Sequence, residues 1–176
     1  DGPGSASCLY AAEAAARFAA DVAYLDPPYN QHSYLGNYHV WESLVRWDRP
    51  PVYGVACKRE DVRERGSAFN RRASMPGALR AVIENVRARW LIVSFSDEGF
   101  LALDDLRALL ALRGEVSEQA VAHPRYIVHK IGIHDLTGRK VGTPGHARNR
   151  EHLFVVDTRA ASRRRTRGRV AVAASA

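Results

Sequence analysis

The chain has 176 residues, of which 46% are hydrophobic and 26% charged, and its formal net charge is +7. This composition is typical of one soluble globular domain, and the sequence has no apolar run near the roughly 18 residues that a transmembrane helix needs. Two cysteines, Cys8 and Cys57, are too few for a disulfide framework and lack zinc-site spacing, which predicts a reducing cytoplasm. Because there is no initiator Met and no secretory leader, we expect the chain to begin inside a longer polypeptide.

The positive charge is concentrated at the C-terminus. Six of the 26 basic residues are arginines from Arg159 onward, where there is no acid, so residues 1–158 carry 20 bases against 19 acids. We therefore divide the chain into a folded part, residues 1–158, and a basic, disordered tail, residues 159–176. The tail is either a solvated terminus or a loose arm that contacts phosphates.

The first third predicts alternating helix and strand. Residues 7–20 are rich in alanine and predict a short strand followed by a helix. Val22–Leu25 predicts a buried strand, which must end at Pro27 because consecutive prolines cannot donate to a β-ladder. Apolar residues then recur at helical spacing over residues 38–45, with Asn37 as a candidate N-cap.

The rest of the chain continues this alternation. Residues 48–72 predict an irregular surface segment, Ser74 a helix N-cap, and Trp90–Phe95 a strand buried on both faces. A further helix is predicted from Asp104 to Gly114. The C-terminal part is β-like, with segments at residues 116–121, 126–133 and 153–156 and a turn at residues 135–138. The pattern predicts an α/β fold with an incomplete parallel sheet of about five strands, finished by a C-terminal hairpin.

The segment Asp26-Pro27-Pro28-Tyr29 carries the most specific chemistry. Ligands bind α/β sheets at the carboxyl ends of parallel strands, which is where Asp26 is predicted to lie. The Tyr29 ring is suited to stacking on a planar heterocycle, while the Asp26 carboxylate and the Pro27 carbonyl are suited to accepting the hydrogens of an exocyclic amine. Two such acceptors make the amine lone pair available for attack on an electrophilic methyl group.

The alternative is purely structural. A proline pair after a strand also forms an ordinary turn, in which Asp26 is a turn former or a helix cap. The apolar strand before Asp26 and the aromatic Tyr29 after the prolines favour the functional interpretation.

Residues 21–156 resemble the D12 class of DNA adenine-specific methyltransferases, which includes the Dam-like enzymes. The blocks that carry the resemblance are YLDPPYNQHSY at residues 24–34, YHVWE at 38–42, YGVACKR at 53–59, SAFN at 67–70, VSFSDEG at 93–99 and RNREHLF at 148–154.

The resemblance implies a Rossmann-like, S-adenosylmethionine-dependent fold and methyl transfer to a flipped adenine in double-stranded DNA, in the bacterial cytoplasm at the nucleoid. Asp26, Pro27, Pro28 and Tyr29 would be the catalytic residues, and Asp26 would also contact the methionine part of the cofactor. Glu13 precedes the strand at the distance of an acid near the cofactor adenine.

Further candidate residues lie outside this motif. Ser94 ends a predicted strand and is either a pocket-wall residue that contacts the cofactor or part of a helix cap. Candidate DNA contacts are Asn30, Tyr34, Lys58, Arg59 and Asn70. Acids alternate with the bases of residues 58–65, so a solvated loop is the other interpretation. None of the seven histidines has H-E-x-x-H spacing, and we predict no metal site.

One expected motif is missing from the sequence. The F-x-G-x-G cofactor loop of the family should precede the Asp26 motif, but residues 1–25 do not contain it. The resemblance is therefore to the C-terminal part of a methyltransferase, and the missing N-terminal part of the same protein is a candidate partner. The alternatives are an inactive fragment that binds DNA or complements a partner chain, and an amino-methyltransferase for RNA, cytosine or protein. The sequence specifies neither the recognition site nor the oligomeric state.

Overall fold

The computed structural model describes residues 2–124, 133–134, 139–142 and 148–159. Within these residues the α-helices and β-strands are α1 (Ala11–Arg17), β1 (Ala19–Leu25), α2 (Tyr34–Asn37), α3 (His39–Arg46), β2 (Val52–Tyr53), β3 (Lys58–Arg59), α4 (Met75–Asn85), β4 (Arg87–Ser96), α5 (Leu103–Ala111), β5 (Glu115–Pro124), β6 (Ile133–His134), β7 (Lys140–Gly142) and β8 (Arg148–Asp157). Among the described helices, none has the length and apolar character needed to cross a membrane.

Four of these strands form the main sheet, in the order β1-β4-β8-β5. β1 pairs parallel with β4, whereas β8 runs antiparallel to both β4 and β5. Thus β1, β4 and β5 share one direction, as the alternation of strands and helices predicted, and the α/β class is confirmed. The described main sheet has four strands rather than about five, and its antiparallel β5–β8 pair agrees with the predicted C-terminal hairpin, although the insertion of β8 between β4 and β5 was not predicted.

The hydrophobic core lies on one face of this sheet. Leu91, Val93 and Phe95 alternate along β4 and are fully buried, together with Phe154 of β8. α4 and α5 cover this face with apolar side chains, among them Leu79, Ile83, Leu106 and Leu110. Arg113 joins the two helices because its guanidinium donates to the carbonyls of Ile83, Glu84 and Val86 at the end of α4.

The opposite face of the sheet is largely open to solvent. Val22 and Tyr24 of β1 are 51% and 59% exposed, and Ile92 of β4, the register partner of Tyr24, is half-buried. The prediction that residues 90–95 are buried on both faces is therefore wrong, and the predicted burial of Val22–Leu25 does not hold for Val22 and Tyr24. A continuous apolar run indicates burial only where elements cover both faces, and here the helices cover one.

Helix α1 forms within residues 7–20 as predicted, but the described residues 2–10 form no strand before it, and the predicted caps differ from the observed ones. Asn37 is the last residue of α2 and does not cap α3, which begins after Tyr38 without a side-chain cap. In α2, the Ser33 Oγ is the cap and accepts the Gly36 N–H at 3.2 Å. Ser74 precedes α4 but donates to the Ala68 carbonyl instead of capping. α5 ends at Ala111, before the predicted end at Gly114. Gly114 lies between α5 and β5, where a Cβ would overlap the Asp157 carbonyl.

Residues 48–72 contain the β2–β3 ribbon and short 3₁₀ turns at Glu60–Val62 and Ala68–Asn70, not only irregular chain.

Several predictions fall on residues that the structure does not describe. Of the strand predicted at residues 126–133, only Ile133 is described, in the short β6–β7 ribbon. The turn at residues 135–138 and all of the tail after Arg159 lie outside the described residues, so the division at residue 158 stays a prediction.

Candidate active site

Asp26 directly follows β1 at the carboxyl end of the parallel pair. Leu25 is the register partner of Val93, so the next residues, Asp26 and Ser94, come at the same edge of the sheet. Asp26 is exposed, and within the described part of the chain no hydrogen-bond donor occupies its carboxylate. The arrangement leaves two oxygen acceptors open at the edge where α/β sheets bind ligands.

The Tyr29 ring and backbone are both fixed. Its carbonyl accepts the Phe100 N–H at 2.8 Å, and its ring meets the buried Phe95 ring edge-on, with centroids 6.0 Å apart. Gly99 lies in the turn between Phe95 and Phe100, and a Cβ at this position would overlap the Phe95 ring. One edge of the Tyr29 ring is therefore held by the core, and the half-buried side chain keeps solvent access for stacking.

The electrostatics around Tyr29 keep its hydroxyl neutral. Burial raises the pKa of Tyr29, and the nearby carboxylates of Glu151 and Asp26 raise it further. Burial and the Asp26 carboxylate likewise raise the pKa of Tyr34. Both phenols stay protonated at neutral pH and are available as hydrogen-bond donors beside Asp26.

An aromatic groove adjoins this loop. Tyr34 and Tyr38 stack with centroids 6.1 Å apart, and the groove has a volume of about 360 Å³. Its lining consists of Tyr34, Leu35, Tyr38, Trp41, Glu42 and Val45. Trp41 is 63% exposed, and α3 has no buried residue. α3 therefore presents its apolar side to solvent.

The polar side of α3, in contrast, is bound to the rest of the protein through Arg59. The Arg59 guanidinium binds both carboxylate oxygens of Asp48 at 2.5 and 2.8 Å, contacts Asp61 at 3.1 Å and donates to the Ser43 Oγ of α3. These carboxylates raise the pKa of Arg59, which in turn lowers those of Asp48 and Asp61. Arg59 is only 2% exposed. Because its donors are committed and buried, this geometry does not favour the predicted contact of Arg59 with DNA, which stays a prediction.

Asn70 has a contact that differs from the expected one. Its Nδ2 donates to the carbonyls of Asn30 and His32, each at 3.0 Å, so its donors are directed at the loop after Tyr29 rather than at a base edge. Asn30 itself accepts the His32 N–H with its Oδ1, which closes a local turn.

The remaining candidates are spread over the surface. Lys58 is half-buried beside Arg59, and Tyr34 opens α2 next to Asp26. Glu13 is exposed in the first turn of α1, and no described hydrogen bond or ion pair connects it to the Asp26 loop. In the described ranges, no group of three His, Cys, Asp or Glu side chains is arranged to hold a metal ion.

Sequence reasoning did not identify three residues that shape the site. Phe95 was seen only as part of an apolar strand, although it supports the Tyr29 ring. Phe100 acts through its backbone, which has no sequence signature, and Arg72 lies over its ring at 5.0 Å. Glu151 is far away in sequence and comes near Tyr29 because β8 inserts beside β4.

Comparison with known proteins agrees with this geometry. The family model of the D12 class N6 adenine-specific DNA methyltransferases matches residues 8–108, and the chain belongs to this family. The mixed sheet with its parallel pair is compatible with a methyltransferase fold.

The chain is similar to modification enzymes of restriction systems. It is 34% identical over 94 residues to type II methyltransferase M.FokI of Planomicrobium okeanokoites, covering 53% of this chain and 14% of that protein. It is 29% identical over 110 residues to modification methylase StsI of Streptococcus sanguinis (61% and 17%), and 31% over 106 residues to type II methyltransferase M.CviAII of Paramecium bursaria Chlorella virus 1 (60% and 31%). The matches thus span less than a third of each relative's length, and no solved structure matches the chain.

Proposed function

We propose that this chain forms the target-base side of a DNA adenine N6-methyltransferase in a bacterial restriction–modification system, acting in the cytoplasm. The observation that carries the proposal is the Asp26–Tyr29 loop, in which an exposed carboxylate and a half-buried aromatic ring share the carboxyl edge of a parallel strand pair. This edge is where α/β folds bind ligands, and the chemistry suits an aromatic amine.

In this mechanism the flipped adenine stacks on Tyr29, a contact worth roughly 1–3 kcal/mol. Asp26 and the Pro27 carbonyl accept the two hydrogens of the exocyclic amine and make its lone pair available. Pro28 keeps the backbone extended, so that these acceptors do not have to reorganise during the reaction. The lone pair would form the new nitrogen–carbon bond as the bond between the methyl group and its donor breaks, and the methylated amine would lose one proton to solvent beside Asp26.

S-adenosylmethionine is the methyl donor that this chemistry calls for: when bound, its positively charged sulfonium sulfur would make the attached methyl carbon electrophilic and would leave as a neutral thioether. Asp26 and Ser94 lie together at the strand ends and fit the methionine side of such a site. The sequence has no F-x-G-x-G loop for the rest of the cofactor. The proposal therefore includes a further polypeptide segment that brings this loop.

The open side of the sheet favours a related second candidate, a fragment that completes a partner chain. β1 is the edge strand of the described sheet, and its exposed Val22 and Tyr24 adjoin that edge. An unpaired strand edge next to apolar side chains accepts a further strand. In this candidate the added segment pairs with β1 and carries the cofactor loop to Asp26.

Lys58, Asn30 and Tyr34 are the proposed DNA contacts that the geometry leaves possible. Lys58 has the charge to contact a phosphate, and Tyr34 presents a ring beside Asp26. Lys58 is suited to positioning the duplex, while the paired acids and bases around Arg59 hold the surface that supports it.

Transfer of a tritiated methyl group to adenine-containing duplexes tests the proposal. The enzyme should contain this chain together with a polypeptide carrying a glycine-rich cofactor loop. We expect Asp26→Ala to abolish transfer without unfolding the protein, because it removes an exposed acceptor and no core volume. Asp21→Ala, an exposed acid of the same strand, is the matched control and should retain activity. Equal activity of wild type and Asp26→Ala would contradict the mechanism.

A further inference from the structure

Asn70 is connected to the loop after Tyr29 by two hydrogen bonds from one atom. Its Nδ2 donates to the Asn30 and His32 carbonyls, each at 3.0 Å, across about forty residues of sequence. A side-chain amide nitrogen has two hydrogens, so both are used within the protein. Asn70 therefore has no amide donor left for a base edge.

The platform beneath Asn70 is itself fixed. The Ala68–Asn70 turn is closed by the Asn70 N–H, which donates to the Ser67 carbonyl, and the Ser74 Oγ donates to the Ala68 carbonyl at 2.8 Å. Phe69 of this turn packs against the hydrophobic core. Asn70 thus connects the loop, which lies at the surface, to a turn that is packed against the core.

The loop is also held by a second segment of the chain. The Phe100 N–H donates to the Tyr29 carbonyl, so the consecutive residues 29 and 30 are fixed by two different segments. The Asn30 Oδ1 accepts the His32 N–H at 2.9 Å and keeps the segment between the two Asn70 contacts in a closed turn. Together these bonds determine where the chain leaves Tyr29.

We infer that Asn70 is a positioning residue of the target-base site. By binding the Asn30 and His32 carbonyls, it sets the direction of the chain after Tyr29 and so keeps the Tyr29 ring and the Asp26 carboxylate on the same side of the loop. This role rests on the proposed function, but the contact itself is independent of any ligand. Asn70 touches neither base nor cofactor and acts through the loop.

Hydrogen exchange of the chain as it stands tests the contact. Asn70→Leu keeps the branched shape and volume but removes both donors. We expect exchange of the His32 amide to become roughly tenfold faster or more, because two hydrogen bonds that hold its turn are lost. Exchange in α4 and β4 should not change. Asn85→Leu is the matched control, because Asn85 Nδ2 makes the same kind of bond, to the Ala81 carbonyl within α4.

Two exchange results would overturn the inference. Unchanged exchange of residues 29–33 in Asn70→Leu would show that the two bonds do not hold the loop. Faster exchange throughout the chain, with a lowered melting temperature, would show that Asn70 supports the whole fold rather than the loop.

The methyl-transfer assay separates this inference from the proposed function. With transfer present in wild type and in Asn85→Leu, we expect Asn70→Leu to lower kcat about tenfold or more while the KM for S-adenosylmethionine changes little. An unchanged kcat would overturn the positioning role and leave the proposed function intact. Absence of transfer in wild type would count against the proposed function alone, because the exchange measurement still decides whether Asn70 holds the loop.

Discussion

The Phe100 N–H donates to the Tyr29 carbonyl at 2.8 Å and so joins the loop after β1 to the loop after β4. Both loops leave the sheet at the carboxyl ends of the two parallel strands. Because the Tyr29 ring also contacts Phe95 of β4, backbone and side chain of one residue are fixed by the same neighbouring strand and its loop. A stacking ring held in this way needs little reorganisation when a base arrives.

This support leads to a prediction for Tyr29 itself. Tyr29→Ala should reduce methyl transfer strongly, by about 10- to 100-fold in kcat/KM, because the stacking surface is lost. Tyr29→Phe keeps the ring and its contact with Phe95 and should stay within a few-fold of wild type. Steady-state kinetics of the two variants measure the difference. Equal loss in both would show that the hydroxyl, not the ring, matters.

The neighbours Lys58 and Arg59 should behave differently when each is replaced by Met. Arg59→Met leaves Asp48 and Asp61 without their buried partner and should lower the melting temperature markedly. Lys58→Met should leave the melting temperature nearly unchanged and weaken DNA binding, with the salt slope reduced by about one. Thermal melting and binding titrations at two salt concentrations test the pair. Normal stability of Arg59→Met would contradict the structural role.

The sequence predicted the position of the Asp26–Tyr29 loop in the fold better than its surroundings. Asp26-Pro27-Pro28-Tyr29 is local, and its position after a strand follows from the prolines and the apolar run. The burial of Arg59 was not predictable, because Asp48 and Asp61 become its partners only when the β2–β3 ribbon folds against α3. The same limit applies to Glu151, since strand order is a long-range property that periodicity does not encode.

Acid should destabilise the protein through Glu118. Hydrogen bonds from Arg107 lower the pKa of Glu118 to about 2, and His152 Nδ1 lies 2.7 Å from the same carboxylate. Because the folded pKa lies below the unfolded value near 4.5, this contribution is complete above pH 4.5 and is lost as the pH falls toward 2.

Glu118→Gln should therefore lower the free energy of unfolding at pH 6 and reduce its change between pH 6 and pH 3. Urea denaturation at the two pH values measures both effects. The matched control is Glu115→Gln, an exposed acid on the same strand, which should behave like wild type. If the pH dependence of Glu118→Gln equals that of wild type, another group is responsible.

Cofactor binding provides a test of the missing loop. A glycine-rich turn gives the cofactor close backbone contact in this family, and no F-x-G-x-G segment occurs in the sequence. We expect the isolated chain to bind S-adenosylmethionine very weakly or not at all, although Asp26 and Ser94 are in place. Calorimetric titration of the chain alone measures this affinity, and binding in the micromolar range would show that another segment forms the pocket.

The exposed edge of the sheet should make the isolated chain associate. β1 is an edge strand of the described sheet, and Val22 and Tyr24 present apolar surface beside its unpaired edge. A charge on each should oppose pairing at this edge, so the double variant Val22→Lys, Tyr24→Lys should sediment more nearly as a monomer than wild type does. Leu112→Lys, which changes an exposed leucine just after α5, controls for the added charge and should not alter association. Sedimentation velocity over a range of concentrations distinguishes them: a wild-type chain that stays monomeric throughout would show that this edge is protected without a further strand.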